Sequence, residues 1–208
     1  MSSAAPLNDA QYNPAAEQKR VQLVTFRLEQ HLFAVRVEQV WRVEALADFP
    51  ITRVPGAAEY LEGLINLRGR VIPVIDLKKR IGLSLTTPAS DQASPASVTT
   101  YLPKARLLIV EMEISGQRDE KVAMIVDTVS DIRWFAAANL RPPPPMVAEI
   151  SSQFLSGVLE EEGQLWIILD LRQVLNVEER RSLRSEVDKS QELHAEDVPK
   201  AEPPAEHL

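Results

Sequence analysis

Three aspartates are the residues best placed for acid–base chemistry in this chain. Asp76, Asp127 and Asp170 each close an apolar run, and two carboxylates brought together could serve as a catalytic acid and base. Asp76 and Asp170, however, recur 94 positions apart in matching surroundings. A repeated scaffold predicts that recurrence and a unique catalytic pair does not. Each also suits the cap of a following helical turn, where a carboxylate accepts free backbone N–H groups. Other chemistry is thinly provided for. There is no cysteine, and of three histidines His194 and His207 fall in the C-terminal tail while His31 falls in a polar turn. No serine sits in a strand–turn–helix nucleophile motif, and the seven glycines form no phosphate-cradling loop. The run Glu160-Glu161-Glu162 carries charge enough to attract a cation, but consecutive turn residues point in different directions, so it reads as a solvated turn. No catalytic group, metal site or cofactor is therefore expected. The chemistry left is recognition, and its best candidate is Arg68 in Asn66-Leu67-Arg68-Gly69, a polar tetrapeptide between two apolar runs. Such an arginine either pairs with a local acid and stiffens its turn or presents a permanent cationic fork to a partner.

The elements that would position it are mostly strands. Residues 1–20 read as a flexible tail. Val21 to Leu28 and Leu32 to Val37 are rich in branched and aromatic residues and flank a polar turn at Glu29–His31, which makes a hairpin. Glu38 to Val43 continues as a short helix or strand. Pro50 and Pro55 punctuate a loop, and Ala57 to Leu61 suits one helical turn. Gly63 to Leu67 and Val71 to Ile75 form a second hairpin around Arg68, Gly69 and Arg70, and a short amphipathic turn runs from Asp76 to about Gly82. Residues 84–103 are almost wholly Ser, Thr, Ala and Pro with Asp91 as the lone charge; they bury too little apolar surface to order themselves and read as a mobile loop or linker. Strands follow at Arg106 to Ile114, Lys121 to Val126, Phe154 to Val158 and Gln164 to Leu169, with a polar turn at Ser115–Glu120, polyproline at Pro142–Pro145 and a helix start at Asp170–Val177. From Glu179 the chain is a charged tail, helical over part of its length.

The two β-rich blocks resemble each other. Tyr60, Gly63, Gly69, Asp76 and Ile81 correspond to Phe154, Gly157, Gly163, Asp170 and Leu175 at an offset of 94, and Ala34, Val37, Glu38, Val40 and Val43 to Ala123, Val126, Asp127, Val129 and Ile132 at an offset of 89. The expected fold is all-β in the main: two tandem five-stranded SH3/OB-like barrels at 21–83 and 104–178, with short helices and flexible tails. Positions alike in both copies are scaffold; Gly63 and Gly157 suit a tight bend or close backbone approach. Positions that differ are not dictated by the fold. Asn66-Leu67-Arg68 in the first copy stands where Glu160-Glu161-Glu162 stands in the second, and that contrast singles out Arg68. Trp166 lies in an apolar run and reads as core, whereas Trp41 and Trp134 sit near segment ends as partly exposed anchors.

Composition narrows the partners. With 208 residues, 45% of them apolar, the chain can fill a core, and a net charge of −7 opposes nonspecific nucleic-acid binding. No apolar run approaches a membrane span, no signal-peptide core is evident, and the lack of cysteine suits a reducing compartment. The expectation is a cytoplasmic protein-binding module. A barrel that binds nucleic acid or a small ligand is the alternative, marked by a basic aromatic stripe rather than an apolar groove near Arg68. A hydrolase would require two carboxylates converging in a cleft.

Taken in order, the stretches Ile51 to Pro55, Gly63 to Gly69, Val71 to Leu77, Val126 to Ser130, Leu140 to Pro144 and Phe154 to Gly157 resemble the CheW family of chemotaxis coupling proteins over about residues 21–178. The resemblance implies two intertwined five-stranded barrels, no catalysis, and an adaptor that links chemoreceptor cytoplasmic tips to the regulatory domain of the CheA histidine kinase, associated with the membrane only through receptor arrays. It assigns Val40, Arg68, Leu107 and Leu108 to receptor binding and Gly63, Asn66, Gly69 and Gly157 to kinase binding. It also exposes a departure. The family commonly carries a glutamate, the charge partner of the motif arginine, where this chain has Arg42. Arg42 and Arg68 are then expected as neighbouring like charges, in need of an acid such as Glu38, Glu44 or a partner's carboxylate.

Overall fold

The computed structural model of the chain describes residues 20–83, 103–114, 117–143 and 152–196. Among these described residues eleven strands form two sheets. They are β1 (Arg20–Leu28), β2 (His31–Arg36), β3 (Val40–Ala45), β4 (Leu61–Leu67), β5 (Arg70–Asp76), β6 (Arg106–Ile114), β7 (Gln117–Val126), β8 (Thr128–Ala136), β9 (Leu140–Arg141), β10 (Leu155–Glu161) and β11 (Gln164–Leu169). Two α-helices, α1 (Leu77–Ile81) and α2 (Val177–Glu196), complete the regular structure of the described residues along with short 3-10 turns. The molecule is mostly β, built as two barrel-type sheets. The polyproline stretch and the linker fall, apart from Pro142, Pro143 and Pro103, outside the described residues.

The sheets are not the two sequence blocks. One runs β8-β1-β2-β11-β10-β9 and the other β3-β6-β7-β5-β4, so each takes strands from both halves of the chain. The division into 21–83 and 104–178 is corrected accordingly: the chain crosses between sheets at the 3-10 turn Val37–Gln39 and back at Asp127. Two parallel pairings join the halves. Ile168 of β11 lies opposite Ala34 of β2, and Val74 of β5 opposite Ala123 of β7. These are repeat-equivalent pairs, so the internal duplication survives as a pseudo-symmetric exchange of hairpins.

That exchange explains the long apolar runs. Leu107, Ile109, Ala123 and Ile125 face the interior of the five-stranded sheet with Ile65, Ile72 and Val74. Their neighbours Leu108, Val110, Met124 and Val126 face a second, larger core shared with β1, β2 and α2. A third cluster, with Phe135, Leu159, Trp166 and Ile168, fills the six-stranded sheet. A strand with a core on each side gains nothing from a polar alternate face, which is why these segments read as continuous hydrophobic sequence.

Local chemistry fixes the ends. Asp76 Oδ1 accepts from the backbone N–H groups of Lys78 and Lys79 at 2.8 and 3.2 Å, and Gly82 ends α1 at φ 86°. Asp170 heads a run of turns instead of the expected helix start; the helix begins at Val177 behind a capping box in which Asn176 and Glu179 exchange backbone-to-side-chain hydrogen bonds of 2.8 Å. Residues 57–61 form no helical turn: 57 and 58 are irregular, 59 and 60 a turn, and Leu61 opens β4. Strand β8 is not among the strands read from the sequence, although its repeat match to β3 was available as a signal. The halves and α2 meet at Arg80. Its Nε donates to the Val174 carbonyl at 2.6 Å and its Nη2 to Glu179 at 2.8 Å, and the guanidinium lies 4.9 and 5.0 Å from the rings of Tyr60 and Phe154. Burial, and then the negative charge of Glu179, push the Tyr60 hydroxyl above its ordinary range, with Arg80 opposing.

Candidate functional site: a cationic hairpin tip and exposed edge strands

The β4–β5 hairpin pairs Leu67 with Arg70, leaving Arg68 and Gly69 as a two-residue loop. Both have positive φ, 54° and 85°, as a type I′ turn demands so that its twist matches that of the strands. The Asn66 carboxamide accepts the Gly69 N–H at 2.7 Å and locks the loop. Asn66 and Gly69, assigned to kinase binding by resemblance, thus also have a local role in shaping the tip. Arg68 is exposed and bears the left-handed strain itself. Among the described residues its guanidinium has no ion pair and no hydrogen bond.

The second hairpin repeats this geometry with opposite charge. Glu161 pairs with Gln164, and Glu162 and Gly163 take φ of 54° and 74°. Its acids are held from within the molecule, Arg133 reaching Glu161 at 3.1 Å and Glu162 at 3.9 Å. One tip is partly paired by its own fold and the other leaves its cation for solvent or a partner.

The glycines preceding these tips are close-approach positions, as the sequence suggests. A β-bulge falls between Leu61 and Gly63 and again between Leu155 and Gly157. A Cβ on Gly63 would lie 2.2 Å from the Thr52 carbonyl oxygen, and one on Gly157 would lie 2.8 Å from that of Arg141. Both are buried.

Leu107 and Leu108 are corrected as receptor contacts. Each is 0% exposed, because β6 lies between β3 and β7 with a core on either face; neither can touch a partner while the sheet is intact. Val40 is half-buried against the shared core. Among the described residues the large apolar side chains that do reach solvent are Trp41 and Val43 on β3, at 43% and 37%, Ile132 and Trp134 on β8, at 57% and 59%, and Leu165 on β11 and Val177 at the start of α2, both at 56%. The two tryptophans are exposed as read from the sequence. Val43 and Ile132 were missed, although their repeat match could have identified them together. β3 and β8 each lie at one margin of their sheet, with β4 and β9 at the other margins.

Arg42 finds its acid two residues on, Nη1 to Glu44 Oε1 at 3.0 Å. It also lies 5.0 Å from the Trp41 ring, which Lys121 approaches at 4.6 Å. The five-stranded order sets β3 and the β4–β5 hairpin at opposite margins. The charge replacement at Arg42 is thus compensated locally, and the counter-charge of Arg68 is not supplied by any described residue.

The three aspartates are committed to structure. Asp76 caps α1. Asp127 accepts from the Glu29 N–H at 2.6 Å and Lys78 Nζ at 3.0 Å, and Asp170 from Gln39 Nε2 at 2.8 Å and the Arg172 N–H at 3.1 Å. No group of three or more potential ligands of the His, Cys, Asp or Glu type gathers to hold a metal ion among the described residues.

A two-barrel β scaffold that spends its acids on its own turns and presents arginine and tryptophan at tips and margins is equipped for binding other proteins. The sequence places it more narrowly: residues 22–179 match the CheW-like domain, and the chain belongs to that family. It is 27% identical to the chemotaxis protein CheW of Treponema pallidum, over 81% of this chain and 90% of the relative. It is 30% identical to that of Bacillus subtilis, over 77% and 90%, and 27% identical to the protein PilI of Pseudomonas aeruginosa, over 74% and 76%. The crystal structure of the scaffolding protein TtCheW from Thermoanaerobacter tengcongensis superposes with a TM-score of 0.60 at 31% identity, covering 76% of this chain and 96% of that one. Among the described residues no helix is long and apolar enough to cross a membrane.

Proposed function

We infer that this chain is a non-catalytic adaptor that couples the cytoplasmic tips of chemoreceptors to the regulatory domain of a CheA-type histidine kinase. It would work in the cytoplasm and reach the membrane only through the receptors. The observation that carries the reading is the asymmetry of the two hairpin tips. Equivalent type I′ turns carry opposite charges, the acidic tip is partly paired internally by Arg133, and Arg68 is left with an exposed guanidinium on a pre-formed loop. An arginine fork on a rigid turn loses little freedom when it binds a carboxylate, which favours it as an interface anchor. Val40 and the exposed side chains of β3 supply apolar surface for a receptor tip, and Gly63, Asn66, Gly69 and Gly157 shape the hairpins that would meet the kinase. The acidic net charge of −7 disfavours nucleic acid as the partner.

The test is a pull-down of the cognate receptor and kinase with wild type and Arg68→Ala. Loss of at least one partner by a variant that melts like the wild type is the expected result. Retention of both would remove Arg68 from the interface.

A further inference from the structure

We propose that the cleft beside Trp134 is a docking site for an acidic, amphipathic segment of a partner protein, distinct from the Arg68 tip. A cleft of about 440 Å³ opens at the margin of the six-stranded sheet, between the start of β1, the end of β2 and the turn joining β8 to β9. Val21, Trp134 and Leu140 supply its apolar lining, and Arg20, Arg36 and Glu38 its charge.

Three observations converge on it. Trp134 is 59% exposed and Ile132, on the same face of β8, 57%; leaving two large apolar side chains together in water marks a binding surface. The indole is not required by the fold, because the repeat places Ala45 at the corresponding position of β3, and a small residue serves there. The rim is cationic in a chain of net charge −7. Arg20 and Arg36 outnumber Glu38, and none of the three forms an ion pair or side-chain hydrogen bond among the described residues. Tryptophan flanked by free arginines is the composition of an interface hot spot. Charge complementarity then selects the occupant: a bulky apolar side chain seated against Trp134, with carboxylates on either side meeting Arg20 and Arg36.

The probe is a short synthetic amphipathic helix with Leu and Phe on one face and Glu on the other, compared with the same peptide carrying Lys in place of Glu. The full chain is titrated with each while the indole N–H resonances are followed, Trp134→Phe assigning the signal and buried Trp166 reporting on the fold. The Glu peptide should shift the Trp134 resonance saturably, the Lys peptide should bind about tenfold more weakly, and reversing both Arg20→Glu and Arg36→Glu should invert the preference. Equal binding of the two peptides, movement of Trp41 without Trp134, or an unchanged preference after arginine reversal would overturn the proposal. A shift of Trp134 caused merely by removing residues 197–208 would also do so, by making the chain's own acidic end the occupant. Failure of the Arg68 reading is seen separately, in the receptor and kinase pull-down.

Discussion

Replacing Gly63 with alanine separates a scaffold role from a contact role. The added Cβ would stand 2.2 Å from the Thr52 carbonyl oxygen and 2.8 Å from Ile51 Cγ2, so the strand must move. Gly63 also has φ of 146°, where an L side chain costs about 1–3 kcal/mol. Moving it strains the bridge between Thr52 and Leu64, whose two backbone hydrogen bonds are 2.9 and 2.8 Å, at about 1 kcal/mol each. The sum is about 3–5 kcal/mol, a large part of the roughly 5–15 kcal/mol by which a domain is stable. In urea, with a slope of about 2 kcal/mol per molar, the midpoint should fall by about 2 M. Gly157→Ala is the internal control. Its Cβ would be 2.8 Å from the Arg141 oxygen, without a strained φ, and its neighbour β9 is a two-residue marginal strand that can shift. It should lose about 1–2 kcal/mol. Chemical denaturation followed by circular dichroism measures both. If Gly63→Ala unfolds at the wild-type midpoint, the steric reasoning is wrong. If it does so and also loses the kinase, Gly63 acts as a contact.

Further outcomes test other parts of the structure. Arg68→Asn should raise stability by about 0.5–1 kcal/mol, because asparagine tolerates the left-handed conformation of a type I′ turn, while weakening partner binding; Glu162→Asn should give the same gain in thermal unfolding with partner binding intact. Arg80→Ala removes two hydrogen bonds and two ring contacts. It should cost about 2–3 kcal/mol, with amide exchange accelerated first in α2. Tyr60 has a raised pKa in the folded state, so above pH 10 the unfolded chain releases its proton before the native one does. Stability contributed by the phenol is complete below pH 10 and falls as pH rises through the folded value. Tyr60→Phe should flatten that alkaline decline in urea midpoints measured from pH 8 upward.

How much of this was legible in the residues follows from the range of the forces involved. Hairpins, the Asp76 cap, the Gly82 stop and the strand-to-turn rhythm depend on neighbours in sequence, and composition reported them well. The duplication was readable because equivalent turns need equivalent residues: Gly63 and Gly157 at bulges, Gly69 and Gly163 at positive φ. It also exposed Arg68 as a choice the fold does not impose. What local chemistry could not specify was which sheet each hairpin joins. A strand presents the same N–H and C=O ladder to any partner, and only burial against the shared core decides that β5 pairs with β7 and β11 with β2. Leu107 and Leu108 show the consequence. As sequence they are two adjacent apolar residues, one of which an isolated barrel would turn outward. In the exchanged structure a second core covers that outer face, and both disappear from the surface. The recognition chemistry passes instead to residues whose exposure only the tertiary arrangement determines: an arginine without an acid, and tryptophans at the margins of sheets drawn from both halves of the chain.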